Sequence, residues 1–386
     1  MDTRAMVRQA CKHLVWLLLP VMMAIVLSGC GDKATPEPTL AVEAKTPRPT
    51  FTPVATDTPM PTATMVPTAT PVPPTATPEP TATPDALLNP LTGLRVSDPS
   101  LLERRVLAVR VGNDASIRPQ EGLGQAEIVY EEIMEGWTLT RFTAIFYAHD
   151  AERIRPIRSA RLVNLSIAPQ YDAALVHSGA SDKIRWYISQ ADFVDLDQYF
   201  HDAPYGVLEG YDWRGRMYTS VAAVHDHLVE TGQESSAKIE GYLFDATAPQ
   251  GDAAASVTIP YPELCIVDWT YDPEMGRYLR EVQSEPHLDA LDGQQIGAEN
   301  VVVLYAPHEK TDIVEDSLGS TAIDIQLEGS GRVQVFRDGV MIEGAWRQSG
   351  EGALIQYTDQ EGDPLPLKPG QTWIEMVPPD YVVSFE

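Results

Sequence analysis

Between Thr35 and Pro84 lie fifty residues, of which fourteen are proline, fifteen threonine and none glycine. Its repeats read Thr-Ala-Thr-Pro and Thr-Pro-Glu-Pro. Proline removes the backbone donors that helix and sheet need, and large apolar side chains are nearly absent, so no core forms there. Polyproline II is the favoured state, at ~3.1 Å per residue, so full extension reaches about 155 Å. That reach suits crossing a cell wall, and the threonines offer sites for O-linked sugars. The segment reads as a passive tether. It separates a short amino-terminal leader from everything that can fold.

The leader carries Arg4, Arg8 and Lys12, then fourteen apolar or small residues from Leu14 to Leu27 with Pro20 among them. A membrane span needs about twenty, so this run fits the apolar region of a secretory signal instead. It ends Leu27-Ser28-Gly29-Cys30, which resembles a bacterial lipobox. Such sites are cut before the cysteine, whose sulfur is then lipidated. Cleavage removes three positive charges and one negative, leaving 357 residues with a net charge of −29. One acyl chain binds marginally, but the resemblance implies a diacylglyceryl group and a third chain on Cys30, a firm anchor on the outer face of the bacterial cell membrane. Expected boundaries are 1–29 for the signal peptide and 30–86 for the lipidated cysteine and linker.

Lys plus Arg come to 28 against 55 Asp plus Glu, a net charge of −27. That field repels polyanions and excludes general nucleic-acid binding. Of the three cysteines, Cys11 leaves with the signal, Cys30 takes lipid and Cys265 remains alone, so no internal disulfide forms and no zinc spacing is matched. The apolar neighbours of Cys265 mark a buried thiol rather than a nucleophile.

The remainder mixes strand and helix signals at first. Residues 106–111, 128–130 and 142–147 read as buried strands, and Ala173–Val176 as a strand ending at His177. Ser159 is an expected N-cap for a helix through Leu162 and Leu165. Ser181 would cap one through Ile188, and Thr219 or Ser220 one ending near Gly232. Residues 233–254 are polar, and a boundary falls there. Beyond them strands dominate: 257–259, 301–304, 323–327 and 333–336, with Asp338-Gly339 as a tight hairpin turn. Residues around Trp346, 355–357 and 373–376 are expected to continue a meander with little charge that could do chemistry. The expected fold class is α+β: a layered mixed-sheet α/β domain over 87–240, then a mostly antiparallel β domain over 255–386.

An ordered set of short blocks resembles the YerB-like bacterial lipoprotein family. They include Asn89-Pro90-Leu91-Thr92-Gly93, Arg118-Pro119-Gln120-Glu121-Gly122, Pro156-Ile157-Arg158-Ser159-Ala160-Arg161 and His177-Ser178-Gly179-Ala180-Ser181. In the second half stand Trp269-Thr270-Tyr271-Asp272, Pro286-His287 and Pro369-Gly370-Gln371-Thr372-Trp373. The resemblance covers nearly the whole globular part. It implies a two-part α/β protein with layered sheets and helices, and no known reaction. Family members carry Pro-His-Asn before Tyr-Thr-Ser, where this chain has Gly215-Arg216-Met217 before Tyr218. That departure favours binding over catalysis.

Arg153, Arg155, Arg158 and Arg161 fall within nine residues of an acidic chain. One reading is a pocket for a carboxylate or phosphate, with Arg118 and Arg141 as further donors and His177 and Ser181 orienting the ligand. The other is internal pairing. Glu127, Glu131 and Glu135 are four apart and share a face in strand or helix, so they need cations nearby. A hydrolase or transferase acting on envelope material, with Glu131 or Glu135 as acid–base and His177 assisting, is a second class of function. A scaffold recruiting another envelope protein through its β-rich half is a third. Catalysis by Ser178 or Ser181 lacks the flanking glycines of a nucleophile elbow. His225 and His227 are two apart on an expected helix and point to different sides. Asp192, Asp195 and Asp197 lack a calcium-loop pattern and suit loop or surface positions. No metal and no cofactor is expected.

Overall fold

The structure, a computed structural model, describes residues 88–262 and 264–386. The signal segment, Cys30 and the linker fall outside the described residues.

Runs of valine, isoleucine and leucine form β1 (Leu107–Gly112), β2 (Ile128–Ile133) and β3 (Thr140–Phe146), each buried along its whole length. Unbroken burial, rather than alternation, means that both faces of these strands are covered. After them come α1 (Asn164–Ile167), β4 (Ala174–His177), α2 (Asp182–Ile188), β5 (Asp195–Asp197), β6 (Gly206–Val207), β7 (Met217–Tyr218) and α3 (Val221–Glu230). Ser220 caps α3, its hydroxyl accepting from Ala223 N at 3.1 Å. The expected cap at Ser159 is corrected. Residues 154–158 are held extended against β1, with Arg158 N donating to Arg110 O (2.9 Å) and Gly112 N to Pro156 O (3.0 Å). The Ser159 hydroxyl therefore donates to Ser178 O, and the helical turn waits until Asn164.

The second half is nearly all strand: β8 (Asp252–Ala253), β9 (Ser256–Ile259), β10 (Val267–Asp272), β11 (Arg277–Val282), β12 (Glu285–Pro286), β13 (Gly297–Ala298) and β14 (Asn300–Tyr305), then β15 (His308–Val314) and β16 (Thr321–Ile325). There follow β17 (Gly329–Arg337), β18 (Val340–Gln348), β19 (Gln356–Asp359), β20 (Thr372–Val377) and β21 (Ser384–Phe385). Asp338 (φ 54°) and Gly339 (φ 76°) make the two-residue turn between β17 and β18, both in the left-handed region that such a hairpin requires.

Both halves build one large sheet, in the order β19-β18-β17-β14-β20-β2-β3-β1-β4-β5, with β8 on β18. The expected meander through Trp373–Met376 is corrected here. β20 leaves its neighbours in sequence and runs parallel to both β14 and β2. All six of its residues are buried, and a central slot with a strand on each edge is where such a segment satisfies its backbone and its side chains together. A second, antiparallel sheet, β12-β11-β10-β9-β21 with β13 on β11, covers one face of the first. Trp269 of β10 meets Trp373 of β20 edge-on at 5.4 Å between ring centres. The fold is α+β with β dominant, as the pattern of strand and helix signals implied.

Candidate anion-binding site

Adjacent residues on a strand point to opposite faces. Glu131 and Glu132 of β2 therefore begin two separate clusters of buried charge, one on each side of the large sheet.

The Glu131 cluster faces the second sheet. Glu131 Oε2 accepts from Arg280 (2.6 Å), and Oε1 accepts from the Thr140 hydroxyl (2.6 Å) and the Asn113 amide (3.3 Å). Both side chains of the ion pair are fully buried. Glu375 stands in register with Glu131 on the neighbouring strand and accepts from Trp269 Nε1 at 2.8 Å. Burial and the Glu131 charge push the Glu375 carboxyl well above its usual range. Arg280 donates to His287 Nδ1, and His287 Nε2 donates to Gln120 Oε1 (2.7 Å). Burial, with the Arg280 and Arg118 charges, keeps that ring neutral. The rings of Phe142, Trp269 and Trp373 lie around the Arg280 guanidinium, at 5.6, 5.9 and 5.0 Å.

Arg118 belongs on this side. It donates to Asn113 Oδ1 (2.8 Å), Leu264 O (2.9 Å) and the Sγ of the buried Cys265 (3.3 Å). Arg118 thus does not join Arg158, and Glu131 is sealed from water. The second half was expected to hold little usable charge; it supplies Arg280, His287 and Glu375 to this network.

The opposite face carries Arg110, Arg141, Arg158 and Arg161. Arg110 forms an ion pair with Glu132 and donates to the Thr143 hydroxyl at 2.6 Å. Burial raises the Glu132 carboxyl to about 7, against the pull of Arg110. Arg161 clamps Glu135 with both arms of its fork and has Glu315 at 3.6 Å. Glu135 was expected on the Glu131 face. The strand ends at Ile133, and the turn through Gly136 (φ 78°) carries Glu135 around to Arg161 instead. Burial would raise that carboxyl, but the Arg161 fork and the Arg141 charge hold it at about 2. Within the 153–161 run, Arg153 and Arg155 share Glu121. All four arginines of that run thus have a carboxylate at ion-pair distance, Arg158 most loosely, with Asp114 at 3.9 Å.

Arg141 and Arg158 differ from the rest. Arg141 retains 6 % exposure, and among the described residues its side chain makes one hydrogen bond, from NH1 to Ser159 O at 3.3 Å. No carboxylate among the described residues forms an ion pair with it, and its Nε is buried without a partner. Burial lowers its pKa well below the ordinary value, and the charges of Arg161, Arg158 and Arg110 add to this, Glu135 opposing. Arg158 has Asp114 at 3.9 Å, reaches Arg214 O at 3.4 Å, and also leaves Nε unpartnered. It lies flat across β1 because Gly112 has no side chain; a Cβ there would stand 2.7 Å from Arg158 Cγ. Ser159 and Ser178 beside it are partly exposed, Ser178 N donating to Arg158 O at 3.0 Å.

His177 is buried and has turned away, its Nδ1 against Gly179 O (2.9 Å) and Nε2 against Asp195 (2.7 Å). It meets neither Glu131 nor Glu135. Ser181 occupies the N-cap position of α2, but its hydroxyl makes no capping bond. Asp195 and Asp197 lie on β5 rather than in a loop, and the buried Asp197 accepts from Gly179 N and Arg185. A cavity of about 620 Å³ lies beside β5, lined among others by Arg105, Asp172, Asp192, Asp195 and His201. It is acidic and touches neither Arg141 nor Arg158. His225 pairs with Glu234 and His227 with His201. Among the described residues no His, Cys, Asp and Glu are grouped to hold a metal, and no helix is long and apolar enough to cross a membrane.

Fold and site together define a two-segment α+β protein closed by a shared sheet, with one cluster of buried charge on each face and Arg141 unpaired in one of them. The segments match two family models, the N-terminal domain of a protein of unknown function (DUF3048) over residues 91–234 and its C-terminal domain over 257–374. The chain belongs to this family. It is 30 % identical over 296 residues to the "Putative lipoprotein YerB" of Bacillus subtilis (strain 168), covering 75 % of this chain and 86 % of that protein. The crystal structure of YerB from Bacillus subtilis is similar at a TM-score of 0.67 and 28 % identity, over 77 % of this chain and 99 % of that one.

Proposed function

We propose that this is a lipid-anchored extracytoplasmic binding protein that holds a small anion between Arg141 and Arg158. The anchor is Cys30, and the Thr/Pro-rich linker carries the folded part away from the membrane. The naming of its Bacillus subtilis relative as a lipoprotein and the Leu27-Ser28-Gly29-Cys30 motif support the anchoring. One observation carries the binding: Arg141 is a buried guanidinium, surrounded by three other arginines, with an unpartnered Nε and no carboxylate of its own. An entering carboxylate or phosphate supplies the missing acceptor and relieves the mutual repulsion. Acid–base work by Glu131 and Glu135 is not favoured, because one is sealed behind Arg280 and the other is locked in the Arg161 fork.

Thermal unfolding of the full chain, titrated with inorganic phosphate and with acetate, tests the site. At a hundredfold excess over Kd, ligand adds about 2.7 kcal/mol of stability, and the midpoint rises. Arg158→Ala and Arg141→Met abolish that rise. An undiminished rise in both variants refutes the site.

A further inference from the structure

We infer that the arginine site continues into an aromatic shelf and that the two together take a sugar acid, a pyranose ring with one carboxylate. This rests on the anion site above. β6 and β7 form a short hairpin closed by Leu208 N to Arg216 O at 2.8 Å, and its loop hangs over the arginine run. Two large rings of that loop, Tyr211 and Trp213, are 51 % and 68 % exposed. Each lies against a different arginine. The Arg155 guanidinium carbon is 4.5 Å from the Tyr211 ring centre, and that of Arg158 is 5.5 Å from the Trp213 ring centre.

The loop is fixed rather than loosely draped. Asp212 accepts from Arg214 N (3.0 Å) and Nε (2.8 Å), Gly215 N donates to Asp212 O (2.9 Å), and Arg158 reaches Arg214 O. An indole left two-thirds exposed on such a support gains nothing for the core. Its electron-rich face is a platform for a ring of C–H groups, and the guanidinium beside it is a seat for an acid. A pyranose presents such a C–H face, and a carboxylate on that ring reaches Arg158 and, behind it, Arg141. Asp212 and Arg214 flank Trp213 on the loop, and Ser178 N donates to Arg158 O at 3.0 Å, so polar groups for sugar hydroxyls border the shelf.

Charge narrows the ligand further. Arg141 is the one arginine of the four with no carboxylate at ion-pair distance among the described residues, and Arg158 has Asp114 at 3.9 Å, so a single acid group is what the geometry can seat. The chain as a whole is at −27, a field that disfavours ligands of high negative charge. A neutral sugar leaves Arg141 as it was. A nucleotide stacks on indole equally well but brings two or more charges.

Isothermal titration of the full chain with glucuronate, glucose, inorganic phosphate and adenosine monophosphate tests this. Glucuronate is expected to bind about tenfold more tightly than glucose or phosphate, equal to about 1.4 kcal/mol. Trp213→Ala removes that advantage and leaves phosphate binding unchanged, while Trp213→Phe keeps most of it. Arg141→Met weakens both. If phosphate binds through Arg141 but glucuronate binds no better, or if Trp213→Ala changes nothing, the sugar assignment falls and the anion site stands. Tighter binding of adenosine monophosphate than of glucuronate replaces the sugar with a nucleotide. If no anion binds, the anion site falls and this inference with it.

Discussion

Glu131 and Glu132 are neighbours in sequence and begin two clusters with opposite chemistry. On the Glu131 side the buried charges are held by named partners: Arg280 balances Glu131, Arg118 is bound by Asn113 and Leu264, and His287 stays neutral between two partners. On the Glu132 side Arg110, Arg141, Arg158 and Arg161 meet four carboxylates unevenly shared, Glu135 and Glu315 both on Arg161 and none paired with Arg141. Buried ion pairs add little net stability but are costly to break. The first cluster thus ties two sheets together, and the second leaves Arg141 without a carboxylate at ion-pair distance.

The contrast can be broken most directly at Arg280. Arg280→Met strands Glu131 without a counter-ion in the interior and is expected to cost about 3–5 kcal/mol, read from urea unfolding. A loss under 1 kcal/mol would mean that the Glu131 side is not sealed. Next in size is Trp269→Phe, which leaves Glu375 Oε1 without its donor and should cost about 1–3 kcal/mol.

The Glu132 side predicts a pH signature instead. The folded carboxyl sits at about 7 against an ordinary 4.5, so the native state holds a proton that the unfolded chain releases. The Glu132 contribution to stability is therefore complete below 4.5 and is lost as pH rises through 7. Glu132→Gln should flatten that decline in a series of unfolding curves; an unaltered slope assigns the titration elsewhere. The smallest effect is expected at Arg141→Met. Removing a repelled, unpaired cation should leave stability unchanged or raise it, while ligand-induced stabilisation disappears. A loss as large as that at Arg280 would show that Arg141 serves the fold.

Much of this architecture was legible locally. Val-rich runs marked the central strands, Asp338-Gly339 marked its turn, and Ser220 marked the start of α3. Period and turn chemistry are short-range properties, and a single chain carries them openly. What stayed hidden was pairing across long separations. Nothing within Trp373–Met376 says that its neighbours will be residues 128–131 on one side and 300–305 on the other. The same gap misled the reading of charge. Arg118 and Arg141 looked alike as donors, yet one ended beside Cys265 and the other beside Arg161, because they were carried to opposite faces. Glu135 shared a period with Glu131 only as far as the strand ran, and the strand stopped two residues short of it.

The placement of β20 has a consequence for how the molecule matures. A polypeptide emerging amino end first exposes Ile128–Ile133 early, with one edge unclaimed, and waits more than two hundred residues for Thr372–Val377 to fill the gap. Open strand edges invite the wrong neighbour, and contacts this far apart form slowly. Assembly is therefore a late, all-at-once event governed by the final segment, and nascent chains halted before Thr372 should stay protease-sensitive throughout.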